Sequence, residues 1–244
     1  VLALVVYKYK LKIRIKYDPV IGSMIWKSVP AFAVAGIVVK ALNSIDVVLL
    51  QKLTSSYELV GFYSIPLKFI NAVSLTVPTA LMGALYPAFS HLYGKSEEGL
   101  RMIFKNAIDY LLILSVPIAV GFLALGDEFI HSLWKVGYDG AISPAKLMLF
   151  SLPFIFLAFP TGNLLNAIGR QAHTAVSRVL GLITLTLLDI IFIPLYGLFG
   201  AAAAMILTHC VILFCDLFYL RGIVAQIGKH FVWQIIKVVA SSAF

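Results

Sequence analysis

Residues 28–92 read SVPAFAVAGIVVKALNSIDVVLLQKLTSSYELVGFYSIPLKFINAVSLTVPTALMGALYPAFSHL. Two apolar runs stand out, residues 28–50 and 59–92, joined by a short polar link. A helix needs ~20 mostly apolar residues to cross the hydrocarbon core of a bilayer, and both runs meet that length. In lipid the backbone must satisfy its own hydrogen bonds, which leaves helices and closed barrels; long unbroken apolar runs do not fit the alternating strands of a barrel. Both runs therefore predict membrane-spanning helices. They nevertheless carry Lys40, Asp46 and Lys68. A charge at the bilayer centre costs roughly 2.5–3.5 kcal/mol on insertion scales, and it persists where it pairs inside a bundle or lines a water-filled path. The pattern predicts an all-α, polytopic transmembrane bundle with a polar interior, as a transport path requires.

The rest of the chain extends this reading. Of its 244 residues 61% are hydrophobic and 12% charged, with a mean hydropathy of +0.98; soluble domains have about 45–50% apolar and about 25% charged residues. Further apolar stretches cover residues 106–126, 147–168, 174–196, 197–220 and 231–244. The last is too short to span comfortably, so six full spans are expected. The opening VLALVVY looks like the end of a helix, and residues 231–244 look like the start of one. The chain is accordingly expected to be a piece of a larger membrane protein. Residues 1–24 would be the end of a preceding helix and a basic cytoplasmic link, residues 25–222 a six-helix lobe, and residues 223–244 a link and the start of a further span. Pro66, Pro78 and Pro87 lie in the second run, where each removes a backbone donor and favours a kink.

Charge placement predicts the topology. Lys8, Lys10, Lys12, Arg14, Lys16 and Lys27 precede the first span; Lys95, Arg101 and Lys105 follow the second; Arg170 and Arg178 flank the start of the fifth; Arg221 and Lys229 follow the sixth. The alternate links hold only Lys52, Lys135 and Lys146, with Glu58, Asp127, Glu128 and Asp139. Thirteen Lys/Arg against three places the basic links in the cytoplasm. The net charge of +8 thus belongs to links beside a membrane, which argues against a nucleic-acid partner. Phe129, Ile130, Leu133 and Trp134 recur at helical spacing in the outer link of residues 127–146, predicting a short interfacial helix there.

The intramembrane polar residues are the candidates for chemistry. Lys40 and Asp46 are six apart and so do not share a helix face; Asn43 lies three from each and bridges their sectors. The ammonium groups of Lys40 and Lys68 could hold an anionic head group such as a phosphate, or each could pair with a carboxylate or snorkel to an interface. Asp46 fits either structural pairing or a role in coupling. Asp109 is expected to complement the N-terminal dipole of its helix, and Asp216 to pair with Arg221. Asp189 has no evident explanation. Cys210 and Cys215 lack a metal-ligand spacing and read as small apolar side chains. No catalytic motif is present, neither H-E-x-x-H, G-x-S-x-G nor a P-loop, and no cofactor signature accompanies them.

Two stretches carry a resemblance. Residues 44–92 and residues 164–205, which read LLNAIGRQAHTAVSRVLGLITLTLLDIIFIPLYGLFGAAAAM, resemble the polysaccharide biosynthesis flippases of the multidrug, oligosaccharidyl-lipid and polysaccharide exporter superfamily. The intramembrane Asp46, V-G-F-Y-S, Lys68 and Y-P-A-F-S resemble the opening helix pair of that family's second half; N-A-I-G-R and I-P-L-Y-G-L-F-G-A-A resemble a later pair. Asp189 stands where many members have Asn. The resemblance implies two six-helix lobes around a central cavity, this chain being the second, and a lipid-linked oligosaccharide moved across the cytoplasmic membrane by alternating access, among membrane lipids and with an unspecified coupling ion. Lys40 and Lys68, with Asn43 and Asp46, would be the substrate-binding residues. Two other readings are a cation-coupled multidrug antiporter of the same superfamily, which would favour acidic cavity residues, and a membrane-embedded glycan-processing enzyme, which would need clustered acids or histidines at one membrane face.

Overall fold

The computed structural model describes Ser23, residues 36–133 and residues 137–224. The chain divides into two units, Val1–Ile37 and Val38–Phe244; the architecture that follows is that of the second. Its helices are α1 (Ile45–Thr54), α2 (Tyr57–Leu92), α3 (Glu97–Leu133), α4 (Ile142–Leu149), α5 (Leu152–Ala167), α6 (Gln171–Tyr196), α7 (Leu198–Tyr219) and α8 (Arg221–Val224), with one 3₁₀ turn at Asp139–Ala141 before α4. No strand occurs among the described residues. Four helices, α2, α3, α6 and α7, are long and apolar enough to cross a membrane, and the α4–α5 pair, bent by 43°, supplies a fifth span.

These match the second to sixth runs of the sequence. The first run is described only in its second half, because residues 28–35 lie outside the described residues, as do the N-terminal basic link and residues 231–244. Within that half, residues 38–42 are helical, the chain turns at Asn43 and Ser44, and α1 begins at Ile45. The first span is therefore interrupted near its middle. α2 runs as one helix of 36 residues despite Pro66, Pro78 and Pro87. At 1.5 Å per residue its length is about 54 Å, well beyond the ~30 Å apolar core of a bilayer.

Two expectations are corrected. The interfacial helix does not form as a separate element, because Phe129 and Ile130 continue α3. Phe129 packs edge-on against Phe69 and Phe122, and Ile130 is buried; inward-facing apolar surface holds the segment against the bundle instead of the interface. Trp134 lies outside the described residues. Asp109 also departs from its expected role. α3 begins at Glu97, so Asp109 lies several turns inside, and Glu97 and Glu98 occupy the first turn where the dipole acts.

The most extensive helix contact is the α6–α7 hairpin. Gly197 makes its turn with φ +57°, in the region open to glycine at little cost. Gly200 sits where a Cβ would come within 2.2 Å of the Phe192 carbonyl oxygen. Ala201, Ala202 and Ala204 are buried on the same helix, so small side chains let α7 pack centrally, against α4, α5 and α6. Around it, Phe89, Phe104, Phe156 and Leu111 form the interior of the larger apolar cluster.

Because the obstruction at Gly200 is backbone, Gly200→Val cannot be relieved by a rotamer change. It is expected to cost more than the ~1–3 kcal/mol of ordinary overpacking. A lowered unfolding midpoint of the purified full-length protein in detergent, with Ala201→Gly as a milder control, checks this.

Candidate functional site

The break in the first span places Asp46 in the first turn of α1. Val47 N–H, which in an unbroken helix would donate to the Asn43 carbonyl, donates to Asp46 Oδ1 at 2.8 Å. The N-terminal end of a helix favours a negative charge, so the interruption itself creates a position suited to this carboxylate. Its other oxygen accepts from the Tyr63 hydroxyl of α2 at 2.7 Å. Asp46 and Tyr63 are both buried. Tyr63 also lies 3.9 Å from Met205 Sδ on α7. Asp189 of α6 is close enough to interact electrostatically with both Asp46 and Tyr63. Elements from four helices thus meet at one level of the lobe.

Hairpin geometry explains the meeting. Asp189 and Met205 each lie eight residues from Gly197 (197 − 189 and 205 − 197), so the tight antiparallel turn sets them level. Asp189 is about 12 Å below the outer end of its helix and Asp46 about 14 Å below the α1–α2 turn, counting 1.5 Å per residue. The same rule operates at the opposite end. Arg178 and Asp216 each lie nineteen residues from Gly197, and they form an ion pair at 3.5 Å. Thr161 of α5 donates to the same Asp216 oxygen at 3.2 Å. The expected partner, Arg221, is displaced from this role; its guanidinium lies 4.6 Å over the Phe218 ring. Asp216 is fully buried, and only a side chain on the facing helix can reach it.

The four expected binding residues separate. Asp46 is buried within the lobe, whereas Lys40, Asn43 and Lys68 are exposed on its surface. Lys68 heads a stripe along α2 that continues through Asn71, Thr76, Thr79 and Ser90, all exposed and recurring at helical spacing, with Leu75 and Tyr86 as its large apolar members. The exposed face of α6 is different in kind: Leu180, Ile183, Leu187, Ile190, Ile191 and Leu195. An all-aliphatic face suits lipid tails. A face with an ammonium, an amide and three hydroxyls suits water or a polar cargo. Among the described residues no group of three or more His, Cys, Asp or Glu could hold a metal ion.

Sequence reasoning missed Tyr63, and it left Asp189 unexplained. A signal for both was available. Residues at equal distance from a tight turn meet across a hairpin, and Asp46 and Tyr63 lie at similar distances from the Ser55–Ser56 link. The apolar surroundings of Tyr63 concealed it.

A family model described as "Polysaccharide biosynthesis protein" matches residues 1–142. The "Probable flippase AglR" of Haloferax volcanii is 24% identical over 156 residues, covering 63% of this chain and 33% of the relative. The "Probable low-salt glycan biosynthesis flippase Agl15" of the same organism is 24% identical over 159 residues, covering 64% and 33%. The chain thus spans about a third of the length of these curated relatives. An outward-facing multidrug resistance MATE family transporter of the MOP superfamily superposes with a TM-score of 0.67 at 23% identity, over 77% of this chain and 42% of that chain; this likeness is one of fold. The apolar helices and these relatives make the chain a multi-pass membrane protein.

The two buried carboxylates respond differently to loss of a partner. Tyr63→Phe removes a donor to a charged acceptor and is expected to cost about 1.5–3 kcal/mol. Arg178→Met leaves Asp216 with its charge uncompensated and is expected to cost about 3–5 kcal/mol, whereas Arg178→Met combined with Asp216→Leu recovers most of that loss. Unfolding midpoints of the full-length variants give the comparison, and a double variant no better than Arg178→Met would contradict it.

Proposed function

Because the chain belongs to the polysaccharide biosynthesis protein family, we propose that it forms one lobe of a flippase that carries a lipid-linked oligosaccharide across the cytoplasmic membrane by alternating access. In this reading residues 25–222 make up the second six-helix lobe, and residues 1–24 and 223–244 belong to the segments that flank it. The observation that carries the proposal is the polar stripe of α2, with Lys68 at its head, on an otherwise lipid-suited surface. The phosphate or diphosphate of a carrier lipid is anionic and needs a cation inside the membrane. Lys68 supplies one, and Lys40 supplies a second on the adjoining span. Asn71, Thr76 and Thr79 offer hydrogen bonds to saccharide hydroxyls, while the hydrocarbon tail stays in the bilayer. Rocking of one lobe against the other then exposes the stripe to each side in turn. The chain acts as a transporter and carries out no covalent step.

A multidrug antiporter would present acids to its cationic cargo. Here the intramembrane acids Asp46 and Asp189 are buried within the lobe and the exposed intramembrane charges are lysines, which favours an anionic cargo. Asp46 therefore takes no direct part in cargo binding in this reading, and Asn43 stands beside Lys40 on the exposed side.

Lys68→Ala and Lys40→Ala in the full-length protein are expected to abolish complementation of a flippase-deficient strain while membrane insertion is preserved, and Lys68→Arg is expected to retain it. Because both lysines are exposed, their unfolding midpoints should stay within ~0.5 kcal/mol of the parent. Full complementation by both alanine variants would overturn the cargo assignment.

A further inference from the structure

Asp189 is fully buried, and neither of its carboxylate oxygens has a hydrogen-bond partner. Asp46, in electrostatic range of it, is provided for: it has the Val47 N–H, the Tyr63 hydroxyl and the N-terminal end of α1. The charge left without compensation is therefore on α6. The groups facing Asp189 do not supply a cation. α1 contributes Asp46 and α2 contributes Tyr63. α5 carries no charged residue, and the titratable groups of α7 begin at His209, a turn beyond the level of Met205. Arg178 is engaged by Asp216 three turns away along α6, while Lys40 and Lys68 are exposed. Two carboxylates in one dry interior repel each other, and neither can stay ionised there without a counter-charge.

We propose that the Asp46–Tyr63–Asp189 cluster is a binding site for one monovalent cation, a proton or a sodium ion. A single positive charge fits the inventory. It balances one carboxylate, and the donors already around Asp46 hold the other. Two carboxylates with one phenolic oxygen are too few ligands for a divalent ion, which takes six or more oxygens. An interrupted membrane helix beside the cluster offers backbone carbonyls as further ligands, as discontinuous helices do in other ion-coupled transporters. Occupancy ties α1, α2 and α6 together. Release leaves two like charges facing each other and drives α6 away from α1 until Asp189 meets water. The site goes beyond the transport reading and does not depend on what the cargo is.

The test uses the full-length protein in detergent or nanodiscs with no glycan lipid present. Unfolding midpoints are followed against sodium chloride, with potassium and choline chloride as controls. Infrared difference spectra between acidic and alkaline buffer, in choline chloride, read the C=O stretch of a protonated carboxyl. Sodium-specific stabilisation that Asp189→Asn weakens at least about tenfold in apparent affinity, a loss of the size seen when a metal site loses supporting groups, supports sodium. A protonated-carboxyl band that Asp189→Asn removes, without a sodium effect, supports the proton. Neither signal in the parent protein overturns the proposal, and so does a signal that survives Asp189→Asn unchanged. Should Asp189→Asn fail to fold, Tyr63→Phe serves in its place: it is expected to shift the band or weaken the sodium response, and no change overturns the site. Failure here leaves the cargo assignment intact, since that is read from Lys40 and Lys68.

Discussion

Closure of the α6–α7 hairpin fixes the level of the charged side chains inside the lobe. Gly197 supplies a backbone conformation that other residues reach only with strain, and Gly200 lets α7 approach the backbone of α6 at Phe192. With the turn that tight, there is no freedom of register. Arg178 must face Asp216, and Asp189 must face Met205. The first pairing neutralises a fully buried carboxylate. The second leaves another carboxylate without a partner of its own helix pair and hands it to α1 and α2.

The lobe sorts its intramembrane charge by sign. Acids lie inside it and lysines lie on its surface. Burying an acid is tolerable where a helix end, a hydroxyl or a guanidinium meets it, and each of these is present: the start of α1 and Tyr63 for Asp46, Arg178 and Thr161 for Asp216. The surface lysines have no such shelter within the lobe. A cost of several kcal/mol per charge in hydrocarbon then requires that the faces bearing Lys40 and Lys68 meet something polar. The contrast between the α2 stripe and the aliphatic face of α6 follows from that requirement.

Much of the fold was legible in the sequence. Unbroken apolar runs are unambiguous because lipid permits so few backbone structures, and five of the expected spans appear as α2, α3, the α4–α5 pair, α6 and α7. Local chemistry that depends on neighbours along the chain was read less well. Phe129 and Ile130 have the spacing of an interfacial helix, yet they continue α3 because Phe69 and Phe122 receive them. Arg221 is near Asp216 in sequence, yet Arg178 reaches it across the hairpin. In both cases a contact from another helix outweighed the sequence-local one.

The sequence by itself determined that this chain is an all-helical membrane bundle with charges at membrane depth, because hydropathy and span length act residue by residue. Only the tertiary structure decided which of those charges are sheltered. Shelter depends on what faces a side chain from other helices. That facing is set by the turn at Gly197, the break at Asn43 and Ser44, and the small residues of α7, none of which announces its partner in the linear order. The same sequence property, an apolar run with one acid in it, describes both Asp216 and Asp189. Packing gave the first an arginine and left the second facing another carboxylate.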